Sequence, residues 1–306
     1  MSSSSYFTVV VMSDLVVRHI PFTFDGVEFL WNRANPEFSV FINALSFWAI
    51  GLERYLVKTM KDADAVITDP EVAQEARLFL QQESVHTSCH RRHVRALIKR
   101  YPGLQDGLDK TVEHYDVLHR NSDLRYLLAY AAALEGTFTP FFKMLIDNRA
   151  SLFGEGDARV ASLCLWHFCE EVEHRSSAVM VYDHVVGDPM YKVRSFVPMV
   201  AHVSRGFQML LREFRKHVPG ESSAPHYGSA LTRRLSISPG NPLATVPVRQ
   251  RLSTLRGVVA SIMPGYDHDK QPLPEWAATW FDHWERGEDM TMFYGRLPEC
   301  AFGGSA

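Results

Sequence analysis

Two short patterns of glutamate and histidine carry the chemistry that this chain can do. Glu83-x-x-His86 and Glu171-x-x-His174 each set a carboxylate and an imidazole three residues apart. On a helix such a pair lies on one face, on neighbouring turns, and can reach a single cation. Each pattern follows a glutamate set among apolar residues, Glu53 in ALSFWAIGLERYLV and Glu135 in YAAALEGTFTPF. The chain order Glu53, Glu83-x-x-His86, Glu135, Glu171-x-x-His174 supplies four carboxylates and two imidazoles. That is the ligand set of a dinuclear carboxylate site inside a four-helix bundle.

Four carboxylates in an apolar core repel one another, and two divalent cations make their burial tolerable. Glu83 and Glu171 are expected to bridge two metals, His86 and His174 to hold one each, and Glu53 and Glu135 to be terminal ligands. An oxygen-rich set with one nitrogen per metal suits iron, or manganese, better than structural zinc, which prefers thiolates and tetrahedral closure. His90, His167 and Glu170 lie on the same helical faces. Each reads either as an additional ligand or as a group that steadies the ligands from behind, and Glu170, four residues before His174, is an alternative to Glu171. One Glu-x-x-His arises by chance on many surface helices, so the argument rests on two of them, each paired with a glutamate.

Long helices must position these residues. Asn35-Pro36-Glu37 and Thr68-Asp69-Pro70-Glu71 are helix-start signals, predicting helices to about Met60 and about Arg100. A modest helix is expected over Asp106–His119, another over Leu124–Leu152 with a kink or break at Pro140, one over Ala158–Val186, and one from Pro189 to His217. The chain divides into an N-terminal arm (1–34, with strand-like runs such as Phe7–Met12), a metal-binding helical bundle (35–218), a Pro/Gly/Ser-rich linker or lid (219–248) and a C-terminal helical extension (249–306). In the extension Trp276, Trp280 and Trp284 recur every four residues, a face for docking within the chain or against a second copy in a homodimer. The expected fold class is all-α.

The blocks NALSFWAIGLERYLV (43–57), FLQQESVHTSCH (79–90), Glu135 followed by Thr137, and WHFCEEVEHRSSAVMVYD (166–183) resemble bacterial proteins known as predicted metal-dependent hydrolases of the ferritin-like superfamily. The resemblance covers roughly residues 17 to 215. It implies a ferritin-like four-helix bundle with Glu53, Glu83, His86, Glu135, Glu171 and His174 as metal ligands. Where such proteins often carry a histidine after the third glutamate, this chain has Gly136.

The net charge of −3, from 32 basic and 35 acidic residues, gives no electrostatic reason to expect nucleic acid. Four cysteines without CxxC spacing argue against a disulfide framework and favour a reducing cytoplasm. No basic leader or long uninterrupted apolar run points to export or membrane insertion. The leading expectation is a non-haem di-iron or iron–manganese oxidoreductase that activates O2 to oxidise a small organic substrate, with an electron donor as further partner. The alternative is a dinuclear metal-dependent hydrolase, and a third reading is a metal-binding or storage protein.

Overall fold

The computed structural model describes residues 15–220 and 241–296. Helices α1 (Pro36–Asp64), α2 (Pro70–Arg100), α4 (Leu124–Asp147), α6 (Ala158–Glu173) and α8 (Pro189–His217) start at side-chain caps. Asn35, Asp69, Asp123, Asp157 and Asp188 each accept a hydrogen bond from a first-turn N–H that has no partner within the helix. Between them lie α3 (Leu104–Arg120), α5 (Arg149–Phe153) and α7 (Ser177–Val185), and the C-terminal region adds α9 (Val248–Ser261), α10 (Glu275–Glu285) and α11 (Phe293–Arg296). The fold is all-α, and no strand occurs among the described residues.

Helix α1 packs along α2 and α3, α4 packs against α6, α7 and α8, and contacts of α1 with α4 and α2 with α6 and α7 join the two groups. Glu53 faces inward from α1, Glu83 and His86 from α2, Glu135 from α4 and Glu171 from α6, all buried in the space these helices enclose. The described residues before α1, 15–35, contain no helix or strand but bury Ile20, Phe22, Phe24, Phe29 and Trp31, and the Asn43 amide donates to the Phe29 carbonyl at 2.8 Å. Helix α1 is long and apolar enough to cross a bilayer by length and composition, yet 83% of its apolar window is buried within the chain.

Helix α4 runs without a break through Pro140, which costs one backbone hydrogen bond, and ends at Asp147 rather than Leu152, which lies in the separate α5. The helix expected over Ala158–Val186 is broken after Glu173: His174 is its C-cap, its N–H bonding the Glu170 carbonyl, and α7 begins at Ser177. Ser177 is held there by a short hydrogen bond from its hydroxyl to Glu75 on α2.

Of the tryptophan face, Trp276 and Trp280 are buried and Trp284 partly so, all packed within the chain, where α10 touches α4 and α6. Strand-like Phe7–Met12, most of the linker at 219–248, and Cys300 lie outside the described residues.

Candidate metal centre

Helical spacing brings the histidines and carboxylates to one locus. On α1, Ser46 and Glu53 are seven residues apart; on α2, Glu83, His86, His90 and His93 follow at three and four; on α6 and its cap, Glu170 and Glu171 lie three and four residues after His167, and His174 seven. All are buried. One donor atom from each of Glu83, His86, Glu171 and His174 lies within 4.8 Å of the others, and one from each of Glu53, His86 and His167 forms a second such group. His174 Nε2 stands 3.3 Å from Glu83 Oε1 and 3.7 Å from Glu171 Oε2, and its Nδ1 is 3.8 Å from Glu135 Oε2. The six residues singled out from spacing therefore occupy one contiguous cluster.

His86 shows how the cluster is aimed. Its Nε2 lies 2.7 Å from Glu170 Oε2, while Nδ1 lies 3.9 Å from Glu83 and 3.8 Å from Glu171 with no hydrogen bond of its own. Glu170 is thereby separated from Glu171 in role: one oxygen holds His86 and the other takes Arg18 Nη1 at 3.1 Å. Arg18 also grips Glu173 with two hydrogen bonds of 2.7 and 2.8 Å, and Gln82 donates to Glu173 at 3.0 Å. A carboxylate behind an imidazole fixes the ring and strengthens its free nitrogen as a donor to metal.

His167 lies inside the cluster. Its Nε2 is 2.7 Å from Glu171 Oε1 and 3.4 Å from Glu53 Oε1. Behind it runs a buried line: His167 Nδ1 to His90 Nε2 at 2.7 Å, His90 Nδ1 to Ser46 Oγ at 3.1 Å, and Ser46 Oγ to His93 Nδ1 at 3.0 Å. The line has two self-consistent proton arrangements. If His167 Nε2–H donates to Glu171, each group further back donates toward the cluster; if Nε2 offers its lone pair, every proton faces the other way.

Burial dominates the electrostatics. It pushes Glu53 up to about 8, partly offset by the Thr87 hydroxyl, and Glu170 up to about 7, partly offset by Arg18. Glu83, Glu135 and Glu171 are driven well above the ordinary range by burial and then by one another's charge. Burial lowers His86 to about 3 and takes His90, His167 and His174 well below their usual value. Both oxygens of Glu53 and of Glu83, one each of Glu135 and Glu171, His86 Nδ1 and both nitrogens of His174 lack a hydrogen bond of normal geometry. Carboxylates crowded together without donors, beside imidazoles kept neutral, are a poor arrangement for a metal-free interior and a good donor set for divalent cations.

A family model described as predicted metal-dependent hydrolase matches residues 16–247. The chain belongs to the predicted metal-dependent hydrolase family. No curated protein and no solved structure matches it. Membership overturns the expectation of an oxidoreductase that activates O2: the family is described by hydrolysis, which adds water across a bond and needs neither oxidant nor electron donor. The metal dependence in that description agrees with the buried four-residue Glu/His group of this chain.

Helical spacing does not reveal the groups that the fold brings in from distant segments. Arg18 comes from the arm, where the only signal is one charge in an apolar run, VVRHIPF. His268, from beyond α9, packs against Gly136 beside Glu135; its ring is buried and its carbonyl accepts from Arg175 Nε at 2.9 Å. A third grouping, Asp106, Glu213 and His217, lies nearer the surface, where Lys110 and Lys216 pair with Glu213.

Proposed function

We propose that this protein is a dinuclear metal-dependent hydrolase acting on a small-molecule substrate. The observation that carries the reading is the Glu83–His86–Glu171–His174 cluster, buried and short of hydrogen-bond partners, in a chain of the metal-dependent hydrolase family. Glu53, Glu83, Glu135, Glu171, His86 and His174 would hold two divalent cations, and a carboxylate-rich set favours manganese or iron. Such cations supply Lewis-acid polarisation of the scissile group and lower the pKa of a water molecule.

The chain's own residues then do the rest. Arg18 and Glu170 keep His86 Nδ1 turned into the cluster. His167 Nε2, between Glu53 and Glu171, is placed to hold a proton taken from water or to act as a seventh donor. Phe79, in contact with the His174 ring at 4.9 Å, and Trp166, 5.1 Å from His86, wall the centre with apolar surface that limits bulk water.

Stripping the protein with a chelator, reloading it with manganese or ferrous iron, and screening ester, lactone and phosphoester substrates in 18O-labelled water tests this. The expected result is turnover that depends on metal, with label from water in the product, lost in Glu83→Ala and His174→Ala together with metal binding. Two metals retained in either variant, or product oxygen that does not come from water, would overturn the reading.

A further inference from the structure

Helix α9 is built inside out. Val248, Leu252, Leu255 and Val259, with Met263 just beyond its end, are 39% to 50% exposed. At about 100° per residue these positions fall within an arc of about 80°, so they form one stripe. The opposite side faces the body and is small and polar: Ser261 is buried, and Gly257 sits so close to α4 that an added Cβ would lie 2.9 Å from Pro140 Cβ. A surface helix ordinarily turns its aliphatic residues to the core and its small polar ones to water. Here the larger apolar side chains point away from the protein.

The charge on α9 is equally one-sided. It carries Arg249, Arg251 and Arg256 and no acidic residue, in a chain whose net charge is −3. By helical angle the exposed Arg249 and Arg256 border the stripe on one side; Arg251, on the other side, has its Nε and Nη1 buried against the protein. The nearest acids in sequence after it, Asp267 and Asp269, come beyond the Met263-Pro264-Gly265 turn, and Asp267 is paired with Lys270 at 2.8 Å. Helix α9 begins at Val248, immediately after the residues matched by the family model end at 247.

We propose that α9 docks the protein on an anionic lipid surface, its Val/Leu stripe entering the headgroup boundary and Arg249 and Arg256 meeting lipid phosphates. An apolar stripe edged by arginine is the arrangement by which a helix lies in a membrane interface: the aliphatic face supplies burial and the long basic side chains reach back to the headgroups. A second copy of the chain is the less suitable occupant, because two α9 stripes face to face would bring arginine rims together with no carboxylate on either helix. Nucleic acid would leave the aliphatic stripe in water. The inference does not depend on the metal centre, and its test reads no turnover.

The test is flotation of the full-length protein with vesicles of phosphatidylcholine alone or with 30 mole per cent phosphatidylglycerol. The expected result is at least tenfold more protein floating with the anionic vesicles, falling severalfold in high salt. Leu255→Glu with Val259→Glu, both pointing into solvent, should lower flotation at least tenfold with an unchanged circular dichroism spectrum; Arg249→Gln with Arg256→Gln should remove the preference for phosphatidylglycerol. Absence of flotation of the wild-type protein, or full flotation of both double variants, would overturn the proposal. So would sedimentation showing a dimer that Leu255→Glu dissolves while lipid has no effect, a result that would assign the stripe to a second copy. Should a variant misfold, the salt and lipid dependence of the wild-type protein decides alone.

Discussion

The imidazole of His268 occupies the space that a side chain at Gly136 would need: a Cβ built there would lie 2.8 Å from His268 Cε1 and 3.5 Å from Nε2. Helix α4 thus accommodates the C-terminal region because it lacks a side chain one residue after Glu135. Gly136→Ala is expected to destabilise the docked form by about 1–3 kcal/mol through overpacking, seen as a lower melting temperature and faster proteolysis after residue 261. Combining it with His268→Ala should cost less than the two single changes summed, since the smaller residue makes room for the methyl. Additive losses would show that the two positions do not compete.

Arg18 pairs with two buried or nearly buried carboxylates, Glu170 and Glu173. Arg18→Ala leaves both uncompensated, and breaking a buried ion pair from one side costs about 3–5 kcal/mol. Glu170→Ala removes the partner of His86 Nε2 and should weaken metal affinity about 10- to 100-fold. Denaturant unfolding measures the first and metal titration against a competing chelator the second; unchanged metal affinity in Glu170→Ala would remove Glu170 from any role in aiming His86.

The metal-free protein should lose stability as pH rises through neutrality. Folded Glu53 and Glu170 release their protons near 8 and 7, against an ordinary 4.5, and burial holds Glu83, Glu135 and Glu171 well above the ordinary range as well. Between those limits the folded chain holds more protons than the unfolded one, so stability falls as pH increases. The buried histidines act in the opposite sense and lower down: His86, lowered to about 3 from 6.5, makes the folded state lose stability as pH falls through that interval. Calorimetry of chelator-treated protein is therefore expected to show a melting temperature that declines from pH 6.5 to 8.5. Saturating metal should flatten that decline, because the cation takes the place of the protons.

The line from His167 through His90 and Ser46 to His93 predicts a spectroscopic outcome. Metal coordination by His167 Nε2 would reverse the direction of every proton in it, changing the tautomer of His90, which touches no metal. Nitrogen-15 spectra of the imidazoles before and after adding a diamagnetic divalent cation read this directly. In Ser46→Ala the His93 signal should no longer follow that of His90; an unchanged His90 tautomer on metal loading would leave His167 as a hydrogen-bond donor to Glu171.

Helical spacing made the cluster legible because Glu83 with His86, and Glu171 with His174, are local pairs whose shared face follows from helix geometry alone. Glu53 and Glu135 were legible as charges in otherwise apolar helices. The capping residues Asn35, Asp69, Asp123 and Asp157 fixed the helix starts for the same local reason. Residues whose place depends on the path of the chain were not legible: Arg18 lies 152 residues from Glu170 in sequence, and His268 reaches α4 only through the fold beyond α9. The choice between Glu170 and Glu171 was likewise undetermined, since adjacent helical residues differ by about 100° and only the contacts of Glu170 with Arg18 and His86 set the two apart. The reaction class needed the family match, because the same donors can serve redox or hydrolytic chemistry.

His174 sits at the bend between α6 and α7, with the Ser177 N–H bonding its carbonyl. A donor held at a joint responds to the angle between two segments, whereas one in mid-helix is fixed by its own turn. Filling the centre should therefore clamp that angle and pull α7 into register with α2, where Ser177 meets Glu75. The cation would then work as a latch on backbone geometry, and amide exchange at residues 174–178 should slow on loading more than anywhere else along α6.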